Sequence, residues 1–253
     1  MKSPLLLISL IVLLTSCEKN LNIDTTKNTY YDDISDITYL NSSFYTTNYD
    51  LSGNAGEQID LIVYVIVDTE TVMNNKFSLG LNGQGYLSIT NDGNDLYLQS
   101  RSNYNIFKIS NTGEIAYLSS DTLNTKWLPS GLTYNSSNDS LVFLYRNTEK
   151  NNQYRLREVS KLLSEQSKND REFVLNGLDT TVYGALCIAY KEPNLYVLAF
   201  DGQEDVLITM DYSSLNLISN ESVNDSTAVG IDIVNNSIYL SYRDRTISLF
   251  KEL

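Results

Sequence analysis

The chemistry open to this chain is limited first by a residue that it lacks. The 253-residue sequence contains no histidine. A Ser-His-Asp or Cys-His nucleophile arrangement cannot form, an imidazole cannot serve as general base, and a zinc site of the usual histidine-containing type is excluded. Carboxylates, tyrosines and two cysteines are the side chains left to carry chemistry. We predict no metal site and no cofactor.

Two carboxylates, Asp36 and Asp232, are the catalytic candidates. Glycoside cleavage generally needs a carboxylic acid and a second carboxylate about 5 to 9.5 Å apart. These two residues stand near opposite ends of the chain. Only a fold that closes on itself could therefore bring them together, and the arrangement of the strands decides whether such a pair exists.

The charge balance excludes a class of partner. The chain has 18 Lys and Arg against 31 Asp and Glu, a formal net charge of −13. Phosphates repel such an acidic surface, so nucleic acid is not an expected partner. The 19 Tyr, 12 Gly and 3 Pro favour strands and turns over helices.

A short triplet of apolar, small or polar, and apolar residues recurs along the chain. The spacings between first residues are 50, 45, 54 and 45. Glycine precedes four of the triplets, where we expect the chain to bend tightly into a packed strand. The five triplets are Ile37-Thr38-Tyr39, Leu87-Ser88-Ile89, Leu132-Thr133-Tyr134, Leu186-Cys187-Ile188 and Ile231-Asp232-Ile233, and the glycines are Gly85, Gly131, Gly184 and Gly230.

Each triplet is followed by a turn and by a second strand with a central aromatic residue. Third strands follow in all five units and weaker fourth strands in the first four, including 76–79 in the first unit. The fifth unit ends at Leu253 before a fourth strand can form. The aromatic residues are Phe44, Tyr97, Phe143, Tyr196 and Tyr239.

Units of four strands and about 40 to 50 residues are typical of propeller blades. The pattern resembles an all-β, five-bladed β-propeller over residues 23–253, in which a strand within 23–31 closes the last blade. A β-sandwich is the alternative, since it also has short alternating strands, but it does not explain the regular period.

Closure of such a ring would make the first and fifth inner strands neighbours, and with them Asp36 and Asp232. Asp232 occupies the slot that other units fill with Thr38, Ser88 and Thr133, which favours a structural role for a small side chain between blades. Some glycosidases are five-bladed propellers with three axial carboxylates. The inner triplets of the second to fourth units carry no acid, so that arrangement is not visible here.

The resemblance to propellers also implies where a ligand would bind. The loops that enter the inner strands and those that join second to third strands share one rim. Aromatic faces beside planar polar groups suit sugars or peptides. Trp127 is the leading candidate, and packing between blades is the alternative role for each aromatic. The predicted binding residues are Trp127, Tyr86, Tyr183, Tyr49, Tyr104, Arg101 and Arg243.

The first residues resemble a bacterial lipoprotein signal. An apolar stretch from Leu5 to Leu14 precedes Leu14-Thr15-Ser16-Cys17, similar to a lipobox of one aliphatic residue, two small residues and cysteine. The resemblance implies a signal peptide over 1–16, lipidation of Cys17, and a tether over 17–22. Several acyl chains, at ~0.8 kcal/mol per buried CH₂, would hold the protein to a membrane. An ordinary secretory signal is the alternative.

These features predict a lipid-anchored binding or scaffolding module of the cell envelope. Glu18 in place of Asp favours the outer membrane, on either its periplasmic or its surface face. The expected ligands are a glycan or an envelope protein. A glycan-active hydrolase or lyase on the same scaffold is the alternative function.

Overall fold

The structure is a computed structural model that describes eleven segments of the chain. They are residues 33–49, 58–67, 70–82, 87–100, 104–110, 112–120, 126–150, 152–161, 169–176, 185–223 and 227–253. Within these segments all regular structure is β-strand. The same segments contain no helix long and apolar enough to cross a membrane.

Within the described segments, nineteen strands form five antiparallel sheets, which we call blades one to five. In each blade the strands pair in chain order, from an inner strand outward. Blade one contains β1 (Asp33–Leu40), β2 (Ser43–Tyr49), β3 (Gln58–Val67) and β4 (Glu70–Asn82). Blade two contains β5 (Leu87–Asn91), β6 (Leu96–Ser100), β7 (Asn105–Ile109) and β8 (Ile115–Ser120). Blade three contains β9 (Trp127–Asn135), β10 (Ser140–Asn147), β11 (Gln153–Ser160) and β12 (Asn169–Val174). Blade four contains β13 (Ala185–Lys191), β14 (Asn194–Phe200), β15 (Asp205–Asp211) and β16 (Leu217–Ser222), and blade five β17 (Ala228–Val234), β18 (Ser237–Tyr242) and β19 (Ile247–Glu252).

The inner strands form a closed ring. β1 packs against β5 on one side and β17 on the other, while β9 contacts both β5 and β13, and β13 contacts β17. The first and last blades are therefore neighbours, as ring closure requires. This confirms the five-bladed β-propeller and rules out the sandwich. The predicted closing strand within 23–31 lies outside the described residues, as do the predicted signal peptide and tether.

The hydrophobic core is divided among the five seams between neighbouring blades. Each seam holds its own cluster of buried apolar side chains, for example Val142, Leu144 and Leu156 of blade three against Ile188 and Val197 of blade four. Burial of each such side chain contributes about 1.5 to 3 kcal/mol. The alternating pattern within strands thus serves two seams at once, one on each face of a blade.

Polar contacts supplement the apolar packing at the seams. The Asn91 amide on β5 donates to Thr38 Oγ1 (2.6 Å) and to the Tyr39 carbonyl (3.0 Å) on β1. Between blades four and five, the buried Cys187 thiol donates to the Val229 carbonyl (2.7 Å). Such bonds satisfy polar backbone groups of the inner strands that have no partner within their own sheet, and they fix the relative position of adjacent blades.

Two of the repeat glycines are required by close approach between blades. A Cβ at Gly131 would lie 3.0 Å from Ile188 N, and one at Gly230 would lie 2.8 Å from both Asp36 Cα and Ile37 N. Both glycines stand inside their strands, and neither adopts positive φ. Each glycine follows the extra residue, Ser130 or Val229, at a shift in strand register, and such bulges bend a strand, in agreement with the expected bend. The glycines also allow the close packing at the seams. Gly85 and Gly184 lie outside the described residues.

Candidate functional site

A cleft of about 360 Å³ lies between blades one and two. It opens over the apolar cluster of that seam, with which it shares Leu40, Leu61 and Leu96. Its inner end is therefore rigid core. Among the described residues, the lining is Leu40, Asn41, Tyr45, Leu61, Phe77, Ser78, Leu79, Asn94, Leu96, Ile109, Ser110, Gly113 and Ile115.

The outer strands form the mouth of the cleft. Phe77 of β4 is 48% exposed and Ile115 of β8 is 38% exposed, although both line the cleft. Hydroxyl and amide groups of Ser78, Ser110 and Asn94 stand beside these apolar side chains. An apolar cavity with a few polar groups at its mouth is the usual form of a ligand or side-chain pocket.

The blade-one outer strand differs in length from its counterparts. β4 has 13 residues, whereas β8, β12 and β16 have 6 each. β2 pairs with β3 only over Leu61–Tyr64, while β3 and β4 continue to pair as far as Val67 and Glu70. The end of this hairpin therefore extends beyond the rest of the blade.

The lysines near the cleft are paired with carboxylates. Lys76 Nζ lies 2.8 Å from Asp60 Oδ2 in blade one, and Lys108 Nζ lies 2.6 Å from Asp95 Oδ2 in blade two. Exposed Glu114 adds a further negative charge beside Ile115. The surroundings of the cleft thus offer acidic rather than basic charge.

A larger charged cluster joins blades two and three. Lys161 Nζ lies 3.1 Å from Asp92 Oδ2 and 2.9 Å from Asp139 Oδ1, and the Tyr97 and Tyr134 hydroxyls donate to these two carboxylates. The paired carboxylates raise the pKa of Lys161 above its ordinary value. The tyrosine hydrogen bond and Lys161 lower the pKa of Asp139. All five side chains bind one another, so the cluster holds two blades together.

Trp127, the leading predicted ligand residue, lies in the core. It begins β9, and its side chain is 2% exposed within the cluster between blades two and three. The Arg155 guanidinium lies over its ring, 4.6 Å from the centroid. Its burial does not support the expected role as a ligand platform, because both core contacts and Arg155 already cover the ring.

The remaining predicted binding residues are only partly described. Tyr104 has φ 63° and packs half-buried against the blade-two and blade-three cluster, where burial raises the pKa of its hydroxyl. Arg243 is exposed beyond β18, and its backbone N–H donates to the Thr227 carbonyl. Tyr86, Tyr183 and Arg101 lie outside the described residues, and for Tyr49 only the strand backbone is described. Their binding roles stay predictions.

Asp36 and Asp232 both lie at the seam between blades one and five. Asp36 Oδ1 accepts from the backbone N–H of Ile231 (3.3 Å) and of Ile37 (3.0 Å). Asp232 Oδ2 accepts from Tyr39 N–H (2.6 Å), and Oδ1 accepts from Ile233 N–H (2.8 Å). Each carboxyl therefore connects the two inner strands. Their catalytic role stays a prediction.

Asp232 gives a pH-dependence test of this seam. Burial raises its pKa to about 7 against the opposing effect of the Ile233 and Tyr39 N–H groups. The folded state then retains a proton that the unfolded state loses, so stability is full below about pH 4 and falls as pH rises to 7. Urea titrations should show a loss of roughly 1 to 3 kcal/mol between pH 5 and 7. No histidine is present to titrate in this window.

The variant Asp232→Asn should abolish that slope. It should also be less stable than wild type near pH 5, because an amide has one carbonyl oxygen for the Tyr39 and Ile233 N–H donors. Asp201→Asn is the matched control, since hydrogen bonds from Glu204 and Gln203 N–H lower the pKa of Asp201 and place its titration below the window. If stability still fell between pH 5 and 7 in Asp232→Asn as in wild type, the pH dependence would not come from Asp232.

Sequence reasoning missed the cleft. Its lining comes from residues as distant in the chain as Leu40, Phe77 and Ile109, which only the packing of two blades brings together. The alternation of apolar residues in β4 was a possible signal, but its first half, Glu70 to Asn75, is largely polar. Within the described segments, no group of three or more His, Cys, Asp or Glu is placed to hold a metal ion.

Comparison with known proteins shows what fold this chain has. No protein-family model matches the chain, and no curated protein matches it. The structure is similar to Myxococcus xanthus glutaminyl cyclase, with 12% identity, 86% of this chain and 90% of that chain covered, and a TM-score of 0.58. It is also similar to a chain of a nidogen/laminin complex (11% identity, 83% and 72% covered, TM-score 0.50). A protein of unknown function from Bacteroides thetaiotaomicron has 13% identity, 83% and 57% covered, and a TM-score of 0.52. At such identities the shared property is the β-propeller fold.

Proposed function

We propose that this chain is a lipid-anchored cell-envelope propeller that binds a partner protein. The observation that carries the proposal is the apolar cleft between blades one and two, with Phe77 and Ile115 partly exposed at its mouth. Exposed apolar surface of this kind is kept in a monomer mainly where another molecule covers it. The lipobox ending at Cys17 supports the anchoring.

A protein partner fits the cleft better than a glycan does. Glycan sites combine aromatic platforms with many hydrogen-bonding groups, whereas this lining is mostly aliphatic, with Leu40, Leu61 and Leu79 at its centre. Aliphatic pockets favour apolar side chains such as those at the centre of protein interfaces. The ring of blades supplies a rigid support for that contact.

Site-specific photo-crosslinking in intact cells tests the proposal. A photoreactive residue replaces Ile115 at the cleft or, as control, Leu217, an apolar residue on the outer strand of blade four that is 63% exposed. We expect one dominant protein adduct from position 115 and none from position 217. Cys17→Ser should release the chain from the membrane fraction and reduce the adduct.

Two results would count against the proposal. Equal adduct patterns from positions 115 and 217 would show that capture depends on exposure alone. Absence of any protein adduct at position 115, together with intact membrane fractionation, would indicate that the cleft does not contact protein in the cell.

A further inference from the structure

The extended hairpin adds to the apolar surface beside the cleft. Val72 is 45% exposed and pairs with Val65 near the end of the β3–β4 hairpin, on the same face of the blade as Leu61 and Phe77, which line the cleft. Ile66 and Met73 are also exposed but lie on the opposite face, with Tyr64. Tyr117 is exposed on the facing outer strand β8, next to Ile115. The apolar surface is therefore larger than the cleft and extends along β4.

The charges around this surface have one prevailing sign. Lys76 and Lys108, which border the cleft, each contact a carboxylate. Over these two lysines, their partners Asp60 and Asp95, and the exposed Glu114, the net charge is −1. The whole chain carries −13. A partner that brings positive charge would thus be attracted and one that brings negative charge repelled.

We infer that the cleft and the adjoining β4 surface bind a cationic polypeptide segment whose apolar side chains alternate with Lys or Arg. Its apolar side chains enter the cleft against Phe77 and Ile115, while its cations lie at the acidic rim near Glu114. This assignment rests on the proposed function and names the chemistry of the partner. The cleft volume, about 360 Å³, is near the lower end of ligand pockets and admits a few side chains.

A lipid surface is disfavoured by the same charges. Bacterial and other envelope membranes with anionic headgroups attract basic protein surfaces, at about 1 kcal/mol per Lys or Arg, and repel acidic ones. The lysines that border the cleft are already paired with Asp60 and Asp95. Binding to vesicles is therefore an outcome that would contradict the inference.

Three labelled synthetic peptides, tested for binding to the mature chain carrying Cys17→Ser, separate the requirement for apolar side chains from the requirement for positive charge. One peptide has five Lys-Leu repeats, the second five Lys-Ser repeats, and the third five Glu-Leu repeats. Fluorescence anisotropy at low salt should show that the Lys-Leu peptide binds about tenfold or more tightly than either of the others. Phe77→Ser should weaken its binding about tenfold, and Leu217→Ser should not. Phe77 is 48% exposed and Leu217 is 63% exposed, so neither residue belongs to the buried core.

Three outcomes would overturn the inference. The first is equal affinity of Lys-Leu and Lys-Ser peptides, or of wild type and Phe77→Ser, which would reduce the binding to non-specific charge attraction. The second is a preference for the Glu-Leu peptide. The third is Phe77-dependent binding to phosphatidylglycerol vesicles without peptide binding. If crosslinking at position 115 still captures a protein in any of these cases, the proposed function stands and only the cationic character of the partner is wrong.

Discussion

Replacement of Gly230 by alanine is expected to destabilise the protein by about 2 to 4 kcal/mol, through the seam that closes the ring. A Cβ at this position would lie 2.4 Å from Ser241 Oγ and 2.8 Å from the Asp36 and Ile37 backbone. The serine hydroxyl can rotate away, but the backbone of β1 cannot move without separating blades one and five. Overpacking typically costs about 1 to 3 kcal/mol, and more where backbone must shift.

The loss of stability in Gly230→Ala should come mainly from the contacts between blades one and five. Ile231 N–H donates to Asp36, Tyr39 N–H donates to Asp232, and the Ser241 hydroxyl donates to the Ser35 carbonyl at 3.2 Å. Displacement of β1 from β17 lengthens all three. Hydrogen exchange of the Ile231 and Tyr39 amides should therefore accelerate more than exchange at the centre of β10, which is distant from the seam.

Gly131→Ala is the matched control for Gly230→Ala. A Cβ at position 131 would lie 3.0 to 3.2 Å from atoms of Ile188 and Cys187, so these neighbours would have to move by only a few tenths of an ångström. We expect a smaller loss in urea unfolding for Gly131→Ala. Equal stability of the two variants, or a Gly230→Ala protein within 0.5 kcal/mol of wild type, would show that the closing seam is not tightly fitted.

The fold could be predicted because each repeat is marked by short patterns of neighbouring residues. Inner strands are marked by an apolar triplet, a turn of Asn, Asp or Ser follows, and each second strand has a central aromatic such as Phe44 or Phe143, both fully buried. These signals recur at a period that only a ring of similar sheets explains. The positions of Asp36 and Asp232 on either side of the closing seam followed from that period alone.

The cleft could not be predicted in the same way. It depends on the distance between two blades at their outer edges, which side chains such as Leu79 and Ile109 set together. The length of β4 was also underestimated, because the alternation of Phe77, Leu79 and Leu81 does not extend back through the first half of its 13 residues. Side-chain direction at the rim is a further limit, since a residue that borders a loop can point either into a seam or out to solvent.

For Trp127 the direction of the side chain decides between a ligand-binding and a packing role. Trp127→Ala is expected to lower the free energy of unfolding by about 3 to 5 kcal/mol. The indole is 2% exposed among Tyr97, Ile106 and Leu132, so its removal leaves a large cavity between blades two and three. A residue whose role were only to bind a ligand at the rim would cost little stability when truncated. Urea unfolding followed by circular dichroism measures the difference.

The contact with Arg155 provides an independent control. Its guanidinium lies over the Trp127 ring and also pairs with Glu172, 2.6 Å from Nη2, so both groups are held in place. Such cation–π contacts contribute about 0.5 to 2 kcal/mol. A double-mutant cycle of Trp127→Phe with Arg155→Met should therefore give a coupling energy in that range, because phenylalanine retains the packing but weakens the attraction for the cation.

Trp127 is the only tryptophan in the chain, so its own fluorescence reports its position without any substitution. Burial between two blades predicts that iodide and acrylamide quench the native emission weakly, and that full quenching appears only with unfolding. Strong quenching in the native state, together with a small stability loss in Trp127→Ala, would place the ring at the solvent-facing rim and restore it as a ligand-binding residue. Weak quenching with a large loss of stability assigns it to the seam between blades two and three.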